Sequence, residues 1–180
     1  MTRLLIILSG GIAAYKVLDF IRELKSTGTY HIECVFTKHA SAFVTPLSVA
    51  ALAETKVLDD AWLFEQDHKI RHIELVRKQD AIVVFAATAN MIGKVANGIC
   101  DDLATTSIVA FHKLCIFVPA MNTTMWENAA VQRNIKQIKT DGHCIVEPEE
   151  GLMACLEEGK GRLASNVRIK QALDQFLGVS

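Results

Sequence analysis

Three side chains in this sequence could handle a small acidic or carbonyl-bearing molecule. Asn122 lies in Pro119-Ala120-Met121-Asn122-Thr123-Thr124-Met125-Trp126, between the apolar run Leu114–Val118 and an amphipathic helical stripe. A primary amide both donates and accepts hydrogen bonds, so it can grip a carboxylate, a carbonyl or a peptide-like group. Cys155 sits in the glycine-flanked stretch Gly151–Leu163, where a thiol is reactive only if its exposure and thiolate fraction allow. His72 lies in Arg71-His72-Ile73-Glu74-Leu75, and an imidazole there serves either packing or acid–base work. His68 is a second imidazole four residues earlier, while His31, His39, His112 and His143 have no motif around them. The turn Ser9-Gly10-Gly11-Ile12-Ala13 joins a strand-like run to a helical one. Glycine there permits a tight turn or a close approach of backbone to an anion, and the residues alone leave both open. Thr37 follows another strand-like run and is equally a ligand contact or a helix cap.

The elements that must position these groups read as alternating strands and helices. Arg3–Leu8, His31–Phe36, Ala81–Ala86, Leu114–Val118 and His143–Val146 are predicted strands. Ile12–Lys25 carries a helical stripe at Ala14, Val17, Leu18, Ile21 and Leu24. Further helices are predicted over Ser41–Ala53, interrupted by Pro46, and over Ala89–Ala96, Asp101–Phe111, Met125–Ile138 and Val167–Leu177. Such alternation predicts a parallel sheet with helices on both faces. Ligands then bind at the strands' carboxyl ends, where Asn122 falls. Thr55–Arg71 and Glu147–Ser165 read as irregular. The second has the look of a functional lid, with Glu147, Glu149, Glu150, Glu157 and Glu158 as its solvated face. Trp126 reads as core.

Composition excludes several function classes. The chain has 180 residues, 51% hydrophobic and 22% charged, which suits one domain with a substantial core. Net charge is −1 with both signs interspersed, so no nucleic-acid groove and no polybasic membrane patch is expected. The run Leu4–Leu8 is too short to span a membrane. Five cysteines without CxxC pairing read as reduced thiols in a cytoplasmic protein, and no metal-ligand spacing is present.

The octapeptide around Asn122 resembles the PxMNxxMW motif of the homo-oligomeric flavin-containing cysteine decarboxylases, and four more segments are similar to that family. Gly10–Lys16 match its GGIAAYK, and residues 72–75 its HIEL. Ala87–Asn90 and Ile92–Leu103 match its PATANT and IGKIANGxxDDLL stretch, and Gly151–Leu163 resemble its clamp, LACGxxGxGRM. The resemblance implies a Rossmann-like three-layer α/β sandwich with a mostly parallel sheet, a single flavoprotein decarboxylase domain over residues 1–180, and bound FMN. It implies flavin contacts at Ser9, Gly10, Gly11, Ile12, Thr37, Thr88, Ala89, Asn90, Met91 and Met121. It also implies substrate binding by Asn122, catalysis by His72, and a late proton from Cys155. The implied activity is decarboxylation of 4′-phosphopantothenoyl-cysteine to 4′-phosphopantetheine in coenzyme A biosynthesis. In that mechanism the cysteine end is oxidised to a thioaldehyde, CO2 leaves to give an enethiol, and a hydride is returned.

Two other branches compete. Peptidyl-cysteine decarboxylases of lantibiotic maturation share the histidine and PxMNxxMW but typically read PNMN and lack the clamp cysteine, so Ala120 and Cys155 favour the coenzyme A branch. Non-catalytic flavin-binding regulators of a phosphatase are the second alternative, and the joint presence of His72, Asn122 and Cys155 counts against it. Family members form trimers, some assembled into dodecamers, with flavin at a subunit interface. No segment matches the synthetase domain that many bacterial members carry on the same chain, so a separate synthetase is expected. The chain departs from the family pattern at Ala86 for proline, Met91 for threonine, Leu156 for glycine and Leu163 for methionine, among other positions. Met91 removes a hydroxyl that would bond flavin, and Leu156 bears on the flexibility of the clamp.

Overall fold

Neighbouring residues of the first strand point to opposite faces, and both faces are buried. β1 (Thr2–Leu8) sends Leu4, Ile6 and Leu8 into one apolar cluster and Leu5 and Ile7 into another. A strand buried on both sides belongs in a sheet covered on both sides, and the computed structural model of the chain has one. The structure describes residues 1–65 and 69–178.

β2 (Tyr30–Phe36), β3 (Val57–Leu58), β4 (Ala81–Ala87), β5 (Cys115–Pro119) and β6 (Cys144–Ile145) complete the sheet in the order β3-β2-β1-β4-β5-β6. Every neighbouring pair is parallel, with Leu4 opposite Ile32 on one side and Ala81 on the other. One face is covered by α1 (Val17–Ser26), α2 (Pro46–Ala53) and α9 (Asn166–Leu177). The other carries α4 (Arg71–Arg77), α5 (Ala89–Ala96), α6 (Leu103–Ala110) and α8 (Ala129–Thr140). This is the three-layer α/β sandwich expected from the sequence. Strand order reverses between β1 and β4, and the crevice outside their carboxyl ends is where such sheets bind ligands.

Local chemistry corrects several boundaries. Ile12–Lys16 is a 3-10 turn, and the α-helix begins only at Val17. Pro46 does not interrupt a helix but starts one: Thr45 caps α2 through its hydroxyl, and proline at the first helical position loses no hydrogen bond. The stretch expected as one helix from Met125 is two, α7 (Thr123–Glu127) and α8, because Asn128 turns to an extended ψ of 131° and caps the second with its side chain. Trp126 is core, as expected. The segment before Arg71 holds β3 and the short α3 (Asp60–Leu63), and His72 lies on α4, which the sequence reading missed. Glu147–Ser165 is not irregular throughout: β7 (Glu149–Leu152) and β8 (Glu158–Arg162) form an antiparallel hairpin. His68 lies outside the described residues.

The end of β4 is the least regular part of the sheet. Its register against β5 shifts between Phe85 and Ala87, and Ala86 takes a left-handed φ of 52°. The buried Ser9 hydroxyl donates to the Ala86 carbonyl at 2.7 Å and accepts from the Thr88 N–H at 3.0 Å, tying the ends of β1 and β4 together. Proline is fixed near φ of about −65° and cannot adopt this conformation. A proline at position 86 would therefore not fit the backbone this chain has there.

Candidate active site

Two cavities flank the carboxyl ends of β1, β4 and β5. The larger, about 560 Å³, is lined by Ser9, Gly10, Thr37, Thr88, Ala89, Asn90 and Met91, with His39, Asp101 and Asp102. Backbone forms much of its wall because the chain must pass close by: a Cβ on Gly10 would come within 2.5 Å of the His39 Cβ. Thr88 caps α5, its hydroxyl accepting from the Met91 N–H at 3.3 Å. Thr37 caps no helix. Its side chain, like that of Asn90, makes no hydrogen bond to another described residue, which leaves a hydroxyl and an amide at this cavity. The Ser9 side chain is committed within the chain, and the Met91 side chain is buried in the core. Gly11 sits beside Thr88, whose methyl a Cβ on Gly11 would touch at 3.5 Å.

The second cavity, about 330 Å³, lies between the 3-10 turn, the segment after β5 and the hairpin. Ile12, Tyr15, Lys16, Met121, Asn122, Cys155 and Arg162 line it. Ile12 and Met121, expected beside the flavin, thus face this neighbouring space. Asn122 has its two amide ends assigned by the fold. Its Oδ1 caps α7 by accepting from the Met125 N–H at 3.2 Å, which leaves Nδ2 facing the hairpin. Nδ2 donates to the Glu157 carboxylate and lies 3.9 Å from Cys155 Sγ. Asn122 and Cys155 are 33 residues apart in sequence, and the hairpin brings them together.

The hairpin can lie this close because of β8. The Met121 N–H donates to the Gly161 carbonyl at 3.0 Å, and a Cβ on Gly161 would run into the Met121 carbonyl. The base of the hairpin is held by ion pairs, which corrects the reading of Glu147 and Glu149 as part of a solvated face, while Glu150, Glu157 and Glu158 are exposed as expected. Glu147 binds Lys160 at 2.8 Å and Lys139 at 3.0 Å, and these bonds hold its carboxyl down to about 2. Glu149 accepts from the Ser165 N–H and from Arg162, and its carboxyl is likewise held to about 2. At the tip, Met153 N–H donates to the Glu157 carbonyl and Leu156 N–H to the Met153 carbonyl. Leu156 stands at φ 63°, the left-handed position such a turn normally gives to glycine, and is 83% exposed. The cysteines divide sharply. Cys115 is buried and pushed up to about 12 by desolvation, whereas Cys155 is exposed beside a donor.

His72 does not join them. It lines a third cavity, about 440 Å³, with Phe64, Ile70, Cys100, Asp101 and Asp102, and shares none with Asn122 or Cys155. Apolar side chains rim both places. Phe64 and Ile70 are exposed beside His72, and Ile12, Tyr15, Leu152 and Leu156 around the hairpin cavity. Lys16, Tyr15, Arg162 and Glu157 were not singled out from the sequence as site residues. Tyr15, Lys16 and Arg162 match letters of the quoted motifs and Glu157 falls within the clamp segment, which was the available signal. Among the described residues no group of acids, histidines and cysteines could hold a metal ion, and no helix is long and apolar enough to cross a membrane.

Comparison with known proteins gives a consistent picture. The sequence profile of the family described as Flavoprotein matches residues 1–178. The coenzyme A biosynthesis bifunctional protein CoaBC of Bacillus subtilis is 42% identical over 159 residues, covering 88% of this chain and 39% of that protein. The chain spans about two-fifths of the length of the CoaBC relatives it matches. A probable phosphopantothenoylcysteine decarboxylase of Streptococcus mutans is 32% identical, with 97% of this chain and 98% of the relative covered. Among solved structures, a PPC decarboxylase mutant complexed with pantothenoylaminoethenethiol superposes with a TM-score of 0.89 at 30% identity, over 98% of each chain. The FMN-dependent cysteine decarboxylase SpaF gives 0.86 at 31% identity, over 98% of this chain and 95% of that one.

Proposed function

This chain belongs to the Flavoprotein family, and from that membership we propose an FMN-dependent decarboxylase that converts 4′-phosphopantothenoyl-cysteine to 4′-phosphopantetheine in coenzyme A biosynthesis. The observation that carries this reading is the meeting of Asn122 Nδ2 and Cys155 Sγ, 3.9 Å apart, in a cavity next to the cradle at the strand ends. The relatives named for this activity and the FMN-dependent neighbour support it. Residues 1–178, matched by the family profile, form the single decarboxylase domain in this reading.

The larger cavity suits FMN. Its volume is in the range of ordinary ligand sites, glycine lets the backbone come close at Gly10, and Thr37 and Asn90 offer polar side chains that bond no other described residue. Gly10, Gly11, Thr37, Thr88, Ala89 and Asn90 would hold the cofactor. Ser9 would shape the turn rather than bond the ligand, and Ile12 and Met121 would form the wall towards the substrate. When bound, FMN supplies the reversible two-electron chemistry that no side chain has. The chain's own residues do the rest. Asn122 Nδ2 donates to the substrate's cysteine end and orients it, since its Oδ1 is fixed by the α7 cap. The hairpin covers that end and brings Cys155 to it as the late proton donor. His72 gives acid–base or electrostatic support at the carboxylate.

Within one chain His72 lines a different cavity from Asn122 and Cys155, one that borders the larger cavity at Asp101 and Asp102. We therefore assign the working unit to a homo-oligomer, a trimer or a dodecamer assembled from trimers, in which His72 of one copy completes the site of the next. The exposed apolar rims around both cavities fit such a contact. A cytoplasmic location belongs to the same reading, supported by five unpaired cysteines. The test is product mass from 4′-phosphopantothenoyl-cysteine with FMN-loaded protein. The expected product is 4′-phosphopantetheine. Release of the enethiol alone would point to the peptide-modifying branch, and untouched substrate would contradict decarboxylation.

A further inference from the structure

The Glu157 carboxylate accepts from Asn122 Nδ2, the donor that the proposed function gives to the substrate. Resting on that reading, we infer that Glu157 is a specificity-determining latch: it occupies the substrate-carboxylate position at Asn122 and yields only to a ligand carrying its own carboxylate.

Three features of the site carry this. First, the donor has no second orientation to offer, because Asn122 Oδ1 is held by the Met125 N–H. Second, Glu157 and Cys155 belong to one closed turn, tied by Met153 N–H to the Glu157 carbonyl and by Leu156 N–H to the Met153 carbonyl. The carboxylate and the thiol therefore move together. Third, the Glu157 carboxylate has no cation partner among the described residues, unlike those of Glu147 and Glu149 at the hairpin base, so Asn122 is the one hydrogen-bond partner of that carboxylate there. Two carboxylates brought to one amide repel each other. A substrate carboxylate thus displaces Glu157, and Glu157 returns once CO2 has gone, since the remaining product has no charge at that end to hold it off. A ligand without the carboxylate has nothing to gain from Asn122 and binds with the latch shut.

The test separates the latch from the functional reading. The FMN-loaded full chain is used in a His72→Asn background, so that substrate is held without turnover. Glu157→Ala and the milder Glu157→Gln are compared with that parent. By calorimetry, Glu157→Ala should tighten 4′-phosphopantothenoyl-cysteine by about tenfold, the order of one hydrogen bond to a charged group, with a smaller gain for Glu157→Gln. Binding of 4′-phosphopantetheine should change less than about twofold. Weaker substrate binding, or an equal gain for both ligands, would overturn the latch. Without any ligand, amides of residues 150–160 should exchange faster in Glu157→Ala than in the parent, and equal rates would also overturn it. A parent that binds neither ligand would overturn the functional reading instead.

Discussion

The hairpin cavity and the His72 cavity are built differently. Around the hairpin, residues distant in sequence converge: Asn122 and Cys155 meet through a backbone bond between Met121 and Gly161, and ion pairs fix the base. Around His72 the lining comes from Phe64, Ile70, Cys100, Asp101 and Asp102, and neither Asn122 nor Cys155 is among it. The imidazole sits on a seven-residue helix, in an open cavity rimmed by exposed Phe64 and Ile70. One place looks like most of a catalytic site, the other like a contribution to someone else's. In the proposed reading, one copy of this chain carries both halves of the chemistry and brings only one half together.

Substitution in each half should fail in a different way. His72→Asn should lower CO2 release from 4′-phosphopantothenoyl-cysteine by about 10²–10⁴-fold, the usual worth of a positioned acid or base. Cys155→Ser should still release CO2 but stop at the enethiol, because only the late proton is lost. Product mass and flavin absorbance read both. Normal 4′-phosphopantetheine from Cys155→Ser would remove the thiol from the mechanism and dissolve the contrast between the halves.

A smaller effect is expected at the strand ends, the cradle that both halves border. Ala86→Gly relieves a left-handed alanine and should raise stability by roughly 1 kcal/mol. Ala86→Pro puts a fixed negative φ where 52° is needed and should lower it by more than about 1 kcal/mol. Thermal unfolding measures both. A proline variant as stable as the parent would show that the backbone there readily adopts the family's form.

The smallest effect concerns the hairpin base. Glu147 and Glu149 are held at about 2 against an ordinary 4.5, so their contribution is complete above pH 4.5 and is lost as the pH falls towards 2. Exchange of the hairpin amides, corrected for intrinsic rate, should rise across that window, ahead of the sheet. Both pairs are partly solvent-exposed, so the change is modest. Exchange that rises together in hairpin and sheet would mean that the base pairs do not act on the hairpin alone.

The sheet was legible in the sequence because runs such as Ala81–Ala87 are apolar at every position, the mark of burial on both faces. The glycine turns and Asn122 were legible because strand ends follow from strands. The hairpin was not. β7 and β8 read Glu-Glu-Gly-Leu and Glu-Gly-Lys-Gly-Arg, with no apolar alternation, and they are held by ion pairs and by docking on Met121. α4 was missed because it is short and its stripe is brief. The pairing of Asn122 with Glu157, 35 residues away, leaves no periodic trace. Motif likeness named His72, Asn122 and Cys155 together, but only coordinates show that one of the three stands apart.

That separation can be tested by co-expressing two chains, one carrying His72→Asn and the other Asn122→Asp, each inactive alone. If sites form between copies, a random mixed ring has an intact His72 facing an intact Asn122 at roughly a quarter of its sites. Decarboxylation of 4′-phosphopantothenoyl-cysteine should then return to about a quarter of the unmodified rate. No recovery from mixed oligomers that hold FMN and contain both chains would contradict a shared site and require His72 to act within its own chain.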